Sequence, residues 1–259
     1  MIMSNLDDFM PGPKLKYQVC SCALSHSSLP DLDYALNPYI GCLHNCTYCY
    51  APYILKIDRS AWINVKIKSG ISKVLSKELK AKRGVIGIGT VTDPYQPIES
   101  VACNTRQCLQ EIAKEDIPVS LLTKSDLVLR DLDIYSELAR VEIGFSISTD
   151  DEHSKFFEKN VPLPSKRLEA AKKLADVGLN VYVLIGPTIN GITDKSDDLI
   201  SDIADSGIKR VMIDKLNLRP GLSDALESIL PFSSVSSDQV SNLIKFRCKA
   251  AGIKVEDVF

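Results

Sequence analysis

Short, almost continuously apolar segments recur along the chain from about residue 84 onward. Each is rich in β-branched residues and has the length of a strand, and they lie at Val85–Val91, Ile117–Thr123, Val141–Ser148, Leu179–Ile185 and Lys209–Leu216. A further candidate strand precedes them near Tyr34–Ile40. Because their apolar positions hardly alternate with polar ones, these segments predict strands that are covered on both faces.

Amphipathic segments with the period of an α-helix alternate with these strands. Their apolar stripes run through Ile71–Leu79, Leu168–Ala175, Leu199–Ala204 and Val240–Ile244. Pro164 and Ser236 favour helix starts, and glycines at 178, 207 and 252 favour helix ends. Alternation of strands and helices predicts a parallel sheet with right-handed crossovers.

About six strand–helix units fit the 259 residues better than a complete barrel, because eight units need about 250 residues of their own. We therefore expect an α/β fold in the form of a partial (β/α)6 open barrel, with a doubly wound sheet as the alternative. The expected divisions are an N-terminal extension over 1–35, the barrel over 36–220 and a C-terminal helical extension over 221–259.

The composition is that of an ordinary globular enzyme, with 45% hydrophobic and 25% charged residues. The formal net charge of −2 gives no general reason to bind nucleic acid or a membrane, although a local basic groove remains open. The first residues lack the features of a signal peptide, and no apolar run reaches the length of a membrane span. We expect a cytoplasmic protein whose eight cysteines are reduced thiols.

Three cysteines lie in the segment Asn37–Pro52, NPYIGCLHNCTYCYAP, with the spacing C-x3-C-x2-C. Positions of this spacing can share one face of a helix, so buried core cysteines are one interpretation. Prolines and a glycine in the segment, at 38, 52 and 41, favour instead a loop around a metal. Three thiolates suit a zinc site completed by another ligand, or a 4Fe–4S cluster with one open iron.

Three further motifs accompany this loop at the ends of successive predicted strands. They are Gly89–Glu99 (GTVTDPYQPIE), Leu122–Ser125 (LTKS) with Arg130-Asp131, and Phe145–Thr149 (FSIST). Together with the cysteine loop they resemble the radical S-adenosylmethionine (SAM) superfamily, in its spore photoproduct lyase-like branch. The resemblance covers about residues 34–220, and it implies a 4Fe–4S cluster and SAM as cofactors.

The resemblance assigns roles residue by residue. Cys42, Cys46 and Cys49 would hold the cluster. The residues expected to contact SAM are Tyr48, Gly89, Thr90, Thr92, Asp93, Lys124, Ser146, Ser148, Arg167, Ile185 and Gly186. Within this set, the loop after the second strand would receive the amino group of the methionine moiety, Lys124 its carboxylate, and Tyr48 and Ile185-Gly186 the adenine.

Each assignment has an ordinary structural alternative. Gly89–Asp93 can form a plain Asp-Pro turn, and Lys124 can be a solvated lysine. Ser148 can bond to backbone, Ile185-Gly186 can enter a Gly-Pro turn, and Arg167 can cap or solvate its helix. The family's usual Glu-Pro is Glu158-Lys159 here, which weakens any role for Glu158.

The remaining cysteines divide into three groups. Cys103 follows the Asp93–Glu99 loop and is a candidate hydrogen donor. Cys20 and Cys22 could hold a second metal centre or simply lie on an irregular strand. Cys108 and Cys248 fall on helix stripes and are expected in the core.

The resemblance implies that the reduced cluster cleaves SAM to a 5′-deoxyadenosyl radical, which takes a hydrogen atom from a substrate. An external one-electron reductant of the ferredoxin or flavodoxin type would be its partner. Photoproduct lyase activity is not favoured, because the Gly89–Asp93 loop contains no cysteine before Cys103. An iron–sulfur electron-transfer or sensor protein without SAM turnover, and a zinc-stabilised binding protein, are the alternatives.

Overall fold

The computed structural model describes residues 12–196, 198–227 and 236–258, and its contacts divide the chain into two compact units. The first unit contains the residues up to Asn45 together with Ala51–Thr123 and Leu127–Val141. The second contains Cys46–Tyr50, Lys124–Asp126 and the residues from Glu142 onward. The cysteine loop therefore supplies residues to both units.

The strands of the first unit form two sheets. They are β1 (Lys16–Val19), β2 (Leu24–His26), β3 (Tyr34–Leu36), β4 (Tyr39–Ile40), β5 (Lys66–Ser69), β6 (Ile86–Ile88) and β7 (Val119–Thr123). The smaller sheet has the order β1-β5-β4, in which β1 is parallel and β4 antiparallel to β5. The larger has the order β2-β3-β6-β7, in which β2 is antiparallel and the others are parallel.

The helices of the first unit connect these strands. They are α1 (Ala51–Ile54), α2 (Ile71–Glu78), α3 (Glu99–Ala102), α4 (Asn104–Ile112) and α5 (Leu132–Tyr135). The apolar stripe predicted over Ile71–Leu79 lies on α2, where Ile71 and Leu75 are buried. One buried cluster of this unit surrounds Leu43 and consists of Leu15, Tyr39, Leu43, Val65, Ile67 and Ile98. The residue after Cys42 is thus anchored in a hydrophobic core.

The second unit contains a parallel sheet. Its strands are β8 (Val141–Ser146, from Glu142 in this unit), β9 (Asn180–Thr188), β10 (Arg210–Lys215) and β11 (Lys254–Asp257). They pair in the order β8-β9-β10-β11, with Val183 opposite Phe145 on one side and Val211 on the other. Burial of most residues of β9 explains the apolar run Val181–Ile185 within it.

The helices of the second unit are α6 (Asp151–Phe157), α7 (Pro164–Asp176), α8 (Leu199–Asp205), α9 (Leu222–Glu227) and α10 (Ser237–Ala250). Pro164 occupies the first turn of α7, where a missing backbone N–H has no cost. Ser236 and Gln239 form a capping box at the start of α10, so the predicted Ser236 cap is confirmed.

The predicted α/β class is confirmed, since the predicted strands appear as β3, β6, β7, β8, β9 and β10 and are linked by helices. Two details differ from the prediction. The segment Tyr34–Ile40 divides into β3 and β4, which join different sheets, because Pro38 has no N–H to donate between them. The C-terminal segment also contains β11, which its charged sequence does not reveal. Among the described residues, no helix combines the length and apolar character needed to cross a membrane.

Candidate functional site

The first half of the cysteine loop is held by hydrogen bonds within the first unit. The Thr92 hydroxyl donates to the Gly41 carbonyl oxygen at 2.6 Å, and the Leu43 N–H donates to Gln96 Oε1 at 2.8 Å. The Cys42 N–H donates to the Trp62 carbonyl at 3.1 Å. Buried donors and acceptors of the loop backbone are thereby satisfied on both sides of Cys42.

The loop that follows β6 approaches neighbouring backbone so closely that Gly89 has no room for a side chain. Its φ is +92°, and a Cβ there would lie 2.6 Å from the Leu122 carbonyl oxygen and 2.7 Å from Pro94 Cδ. Beside it, Asn37 accepts from the Val91 N–H at 3.1 Å and donates to the Thr90 hydroxyl at 2.9 Å. This loop is therefore a fixed backbone cradle with no side chain at its start.

We expect Gly89→Ala to lower the free energy of unfolding by about 2–4 kcal/mol, because backbone strain at positive φ adds to a clash with backbone. Gly178→Ala is the matched control: its φ is +87°, but its Cβ would meet nothing within 4 Å. The control should cost about 1 kcal/mol, from backbone strain alone. Urea denaturation of the protein without cofactors measures both, and equal losses would contradict the close approach at Gly89.

His44 and Asp93 form a buried pair in the first unit that the sequence analysis missed. His44 Nδ1 lies 3.3 Å from Asp93 Oδ2, and His44 is only 2% exposed. Burial lowers the pKa of His44, but the Asp93 carboxylate outweighs this and raises it to about 10. Asp93 Oδ1 also accepts from the Tyr95 N–H and the Thr123 hydroxyl, each at 2.8 Å. Asp93 is thus a held carboxylate rather than a residue of a solvated turn.

The second half of the cysteine loop is held within the second unit. The Cys49 N–H donates to the Cys46 carbonyl at 3.1 Å, which makes a tight turn around Thr47 and Tyr48. The Thr47 N–H and hydroxyl both donate to the Phe157 carbonyl, at 2.9 and 3.3 Å. The loop is therefore not a helix carrying core cysteines on one face, which was the competing interpretation.

A buried carboxylate, Glu158, follows α6 and collects three donors of the second unit. Glu158 accepts from the Tyr48 hydroxyl and from Arg167 Nη2, and it lies 3.0 Å from Lys124 Nζ. Burial raises the pKa of Glu158, but Lys124 and Arg167 outweigh this and lower it to about 2. Glu158 is therefore ionised at neutral pH, in an environment where an unpaired carboxylate would be strongly disfavoured.

Lys124 is 15% exposed, so it is not the solvated lysine of the alternative interpretation. Its Nζ donates to the Ser146 hydroxyl at 2.5 Å and lies 5.3 Å from the centre of the Tyr48 ring. Arg167 is fully buried, and its Nε and Nη1 donate to the Pro162 and Ser146 carbonyls at 2.6 and 2.8 Å. Arg167 thus neither caps its helix nor faces solvent.

The predicted residues at the ends of β8 and β9 also come together in the second unit. The Ser146 hydroxyl donates to the Gly186 carbonyl at 2.8 Å. Ser148 is 2% exposed, and its hydroxyl has no hydrogen-bond partner in the described part of the chain. Ile185 is fully buried. Gly186 packs closely against Asp214, since a Cβ added at Gly186 would lie 3.1 Å from the Asp214 Cβ. An unpartnered buried hydroxyl fits a site that is completed by a polar ligand.

The other cysteines are free thiols as well. Cys108 and Cys248 are buried, as predicted for core positions. Cys103 joins α3 to α4 with φ +51°, and its Sγ lies 3.8 Å from Arg130 Nη1. The described residues include no group of three or more His, Cys, Asp or Glu side chains placed to hold one metal ion.

The comparisons with known proteins identify the family. Residues 36–203 match the model of the radical SAM superfamily, and the chain belongs to this superfamily. Members of this superfamily use a 4Fe–4S cluster and SAM, and they cleave SAM by radical chemistry. The predicted fold class of the radical SAM type is confirmed with it.

Several known sequences resemble this chain over most of its length. The chain is 34% identical over 174 residues to an uncharacterized protein of Methanocaldococcus jannaschii, covering 66% of each chain. It is 31% identical over 220 residues to an uncharacterized protein of Mycobacterium tuberculosis, covering 78% of this chain and 64% of that one. The chain thus spans about two thirds of the length of these relatives.

Among solved structures, spore photoproduct lyase complexed with a dinucleoside spore photoproduct has a similar fold, with a TM-score of 0.73 at 15% identity. The match covers 95% of this chain and 82% of the lyase. SuiB of Streptococcus suis bound to SAM has a TM-score of 0.59 at 11% identity, covering 95% of this chain and 50% of SuiB. At these identities the likeness concerns the fold.

Proposed function

We propose that Cys42, Cys46 and Cys49 hold the 4Fe–4S cluster of this enzyme. The observation that carries the proposal is that these three cysteines lie inside the region matched by the family, at the spacing C-x3-C-x2-C. Each thiolate of such a cluster binds a different iron, so the cysteines need not converge on one ion as zinc ligands do. Three cysteines leave one iron open for the amino group and carboxylate of SAM.

The methionine end of SAM would be received by the cradle after β6 and by Lys124. In the first unit Gly89, Thr90, Thr92 and Asp93 offer backbone, hydroxyl and carboxylate groups suited to an ammonium. In the second unit Lys124, Arg167 and Glu158 together carry one excess positive charge in a buried setting, which suits the carboxylate of SAM. Arg167 would act mainly through Glu158, because its nitrogens donate to protein acceptors.

The adenosine end would lie against residues of the second unit. Tyr48 presents its ring, and Ile185 and Gly186 present backbone at the end of β9. Ser148 contributes the hydroxyl that lacks a partner among the described residues. The Ser146 hydroxyl donates to the Gly186 carbonyl and accepts from the Lys124 ammonium, and in this way it orients both groups.

When bound and reduced, the cluster supplies one electron that cleaves SAM to methionine and a 5′-deoxyadenosyl radical. The residues of this chain bind and orient SAM, and they exclude water and competing hydrogen donors. We propose that the radical takes a hydrogen atom from an organic substrate, with Cys103 as the candidate to return one. An external one-electron reductant of the ferredoxin or flavodoxin type would complete the cycle, in the cytoplasm. The domain divisions 1–35, 36–220 and 221–259 stay predictions.

Anaerobic reconstitution with iron and sulfide, followed by reduction in the presence of SAM, tests this function. We expect a brown protein that produces 5′-deoxyadenosine. Stoichiometric zinc without iron uptake would indicate the zinc-stabilised binding protein instead. A cluster that forms but yields no 5′-deoxyadenosine under reduction would indicate the electron-transfer or sensor protein.

A further inference from the structure

Glu158 connects three separate parts of the second unit. Its Oε1 accepts from the Tyr48 hydroxyl and lies 3.0 Å from Lys124 Nζ, while its Oε2 accepts from Arg167. Tyr48 lies between two of the proposed cluster ligands, and Lys124 is the proposed partner of the SAM carboxylate. One carboxylate oxygen is thus shared between the cluster loop and the cofactor-binding cation.

The charges make this arrangement depend on Glu158. Lys124 and Arg167 both approach the carboxylate, and Arg167 is fully buried. Without the carboxylate, two cations would be left together in a setting that disfavours even one unpaired charge. Charge repulsion would then move Lys124 away from Arg167, and Lys124 would no longer present its charge in the same place.

A second contact ties the same segment to the cluster loop. The Phe157 carbonyl, adjacent to Glu158, accepts from both the N–H and the hydroxyl of Thr47. Two consecutive residues at the end of α6 therefore hold two consecutive residues of the loop. The Phe157 carbonyl binds Thr47, and the Glu158 carboxylate binds the Tyr48 hydroxyl. A displacement of Glu158 is expected to displace this part of the loop.

We propose that Glu158 is a positioning residue that couples the Cys46–Cys49 segment to Lys124. Glu158 positions the loop through its hydrogen bond with Tyr48, and it positions Lys124 through an ion pair. Arg167 fixes the orientation of the Glu158 carboxylate. Because coupling between two sites is reciprocal, a change at Lys124 is felt at the cluster loop, and a change in the loop is felt in SAM affinity. This inference rests on the proposed function.

Four variants test the coupling. Glu158→Gln removes the charge and keeps an acceptor of the same shape, and Tyr48→Phe removes only the hydroxyl and keeps the ring. The third is the double variant of both. Glu142→Gln is the control, because it removes a carboxylate from the Arg210 ion pair (2.6 Å) at the starts of β8 and β10 in the same unit. Iron content, the Kd of SAM for the oxidised reconstituted protein and the electron paramagnetic resonance (EPR) spectrum of the reduced cluster without SAM are measured.

We expect Glu158→Gln to retain iron near the wild-type content, to change the EPR spectrum and to raise the Kd of SAM about tenfold. Tyr48→Phe should change the spectrum in the same sense and raise the Kd less, since the Lys124 ion pair remains. The double variant should show less than the sum of the two single effects in both readouts, because both changes act on the same Tyr48–Glu158 hydrogen bond. Glu142→Gln should match the wild type in both.

A purely structural role for Glu158 predicts a different outcome: a lower melting temperature with an unchanged EPR spectrum and unchanged Kd, and this would overturn the proposal. Additive effects in the double variant would also overturn it. If Glu158→Gln does not fold, Tyr48→Phe alone tests the coupling. A Tyr48→Phe variant with the EPR spectrum and the SAM Kd of the wild type would then contradict it. Failure of the wild type itself to take up iron or to bind SAM would instead refute the proposed function.

Discussion

Replacing Cys42 by alanine is expected to abolish iron uptake and SAM cleavage. Loss of a residue that merely supports a metal ligand costs about 10–100-fold in metal affinity or activity, so loss of a direct ligand should cost at least about 100-fold. A cluster held by only three thiolates has no spare protein ligand to replace the missing one. Iron and sulfide analysis after anaerobic reconstitution, with 5′-deoxyadenosine measured after reduction, checks the expectation.

Cys22→Ala is the appropriate control for this experiment. Cys22 is an exposed free thiol outside the cysteine loop, and its Sγ donates to a local carbonyl, that of Leu24, at 3.3 Å. The control should keep wild-type iron content and SAM cleavage. Full activity in Cys42→Ala would show that the proposed ligand set is wrong, whereas iron loss in Cys22→Ala would point to a second metal centre.

Arg167→Met is expected to lower the free energy of unfolding by about 3–5 kcal/mol, which is typical of removing one partner from a buried ion pair. Arg167 is fully buried, and the variant would leave Glu158 with Lys124 alone while also removing donors from the Pro162 and Ser146 carbonyls. At neutral pH, far above the Glu158 pKa of about 2, the carboxylate stays charged in the wild type, so the full effect should be seen there. Urea denaturation of the protein without cofactors measures it.

Arg210→Met provides the comparison in the same unit. Arg210 pairs with Glu142 at 2.6 Å and lies 4.7 Å from the centre of the Tyr182 ring, but both members of the ion pair are more than a quarter exposed. A partly exposed pair of this kind contributes about 0–1 kcal/mol, and the ring contact adds about as much. If Arg167→Met lowers the free energy of unfolding no more than Arg210→Met does, the ion pair between Arg167 and Glu158 does not stabilise the fold as proposed.

Much of the fold could be predicted because its signals are local. Val141–Ser148 and Lys209–Leu216 appear as β8 and β10 with ends shifted by one or two residues, and the glycine after α7 lies where the prediction has the helix end. Strand β11 escaped prediction because Lys254–Asp257 is short and charged. It gains its place from pairing with β10, a contact between residues about forty positions apart.

The candidate site was predicted in part for the same reason. The cysteine spacing, the Gly89–Asp93 loop and Lys124 are local motifs; Lys124 is 15% exposed and Ser148 is buried. The pairing of His44 left no local signal, because its partner Asp93 lies 49 positions away in sequence. Glu158 looked weakened because its neighbour is Lys159 rather than the family's proline, yet its three donors hold it regardless of that neighbour.

The sequence by itself was enough to predict the family and the cofactors and to propose three cluster ligands, because these inferences depend on residue types at fixed short spacings. Tertiary structure alone decided how the cysteine loop is held and which charges are paired. Tyr48 and Glu158 are 110 positions apart, and no local pattern records that a hydroxyl between two cysteines would donate to a distant carboxylate. Burial makes that contact matter, since a charge removed from water must find its partners wherever the fold places them.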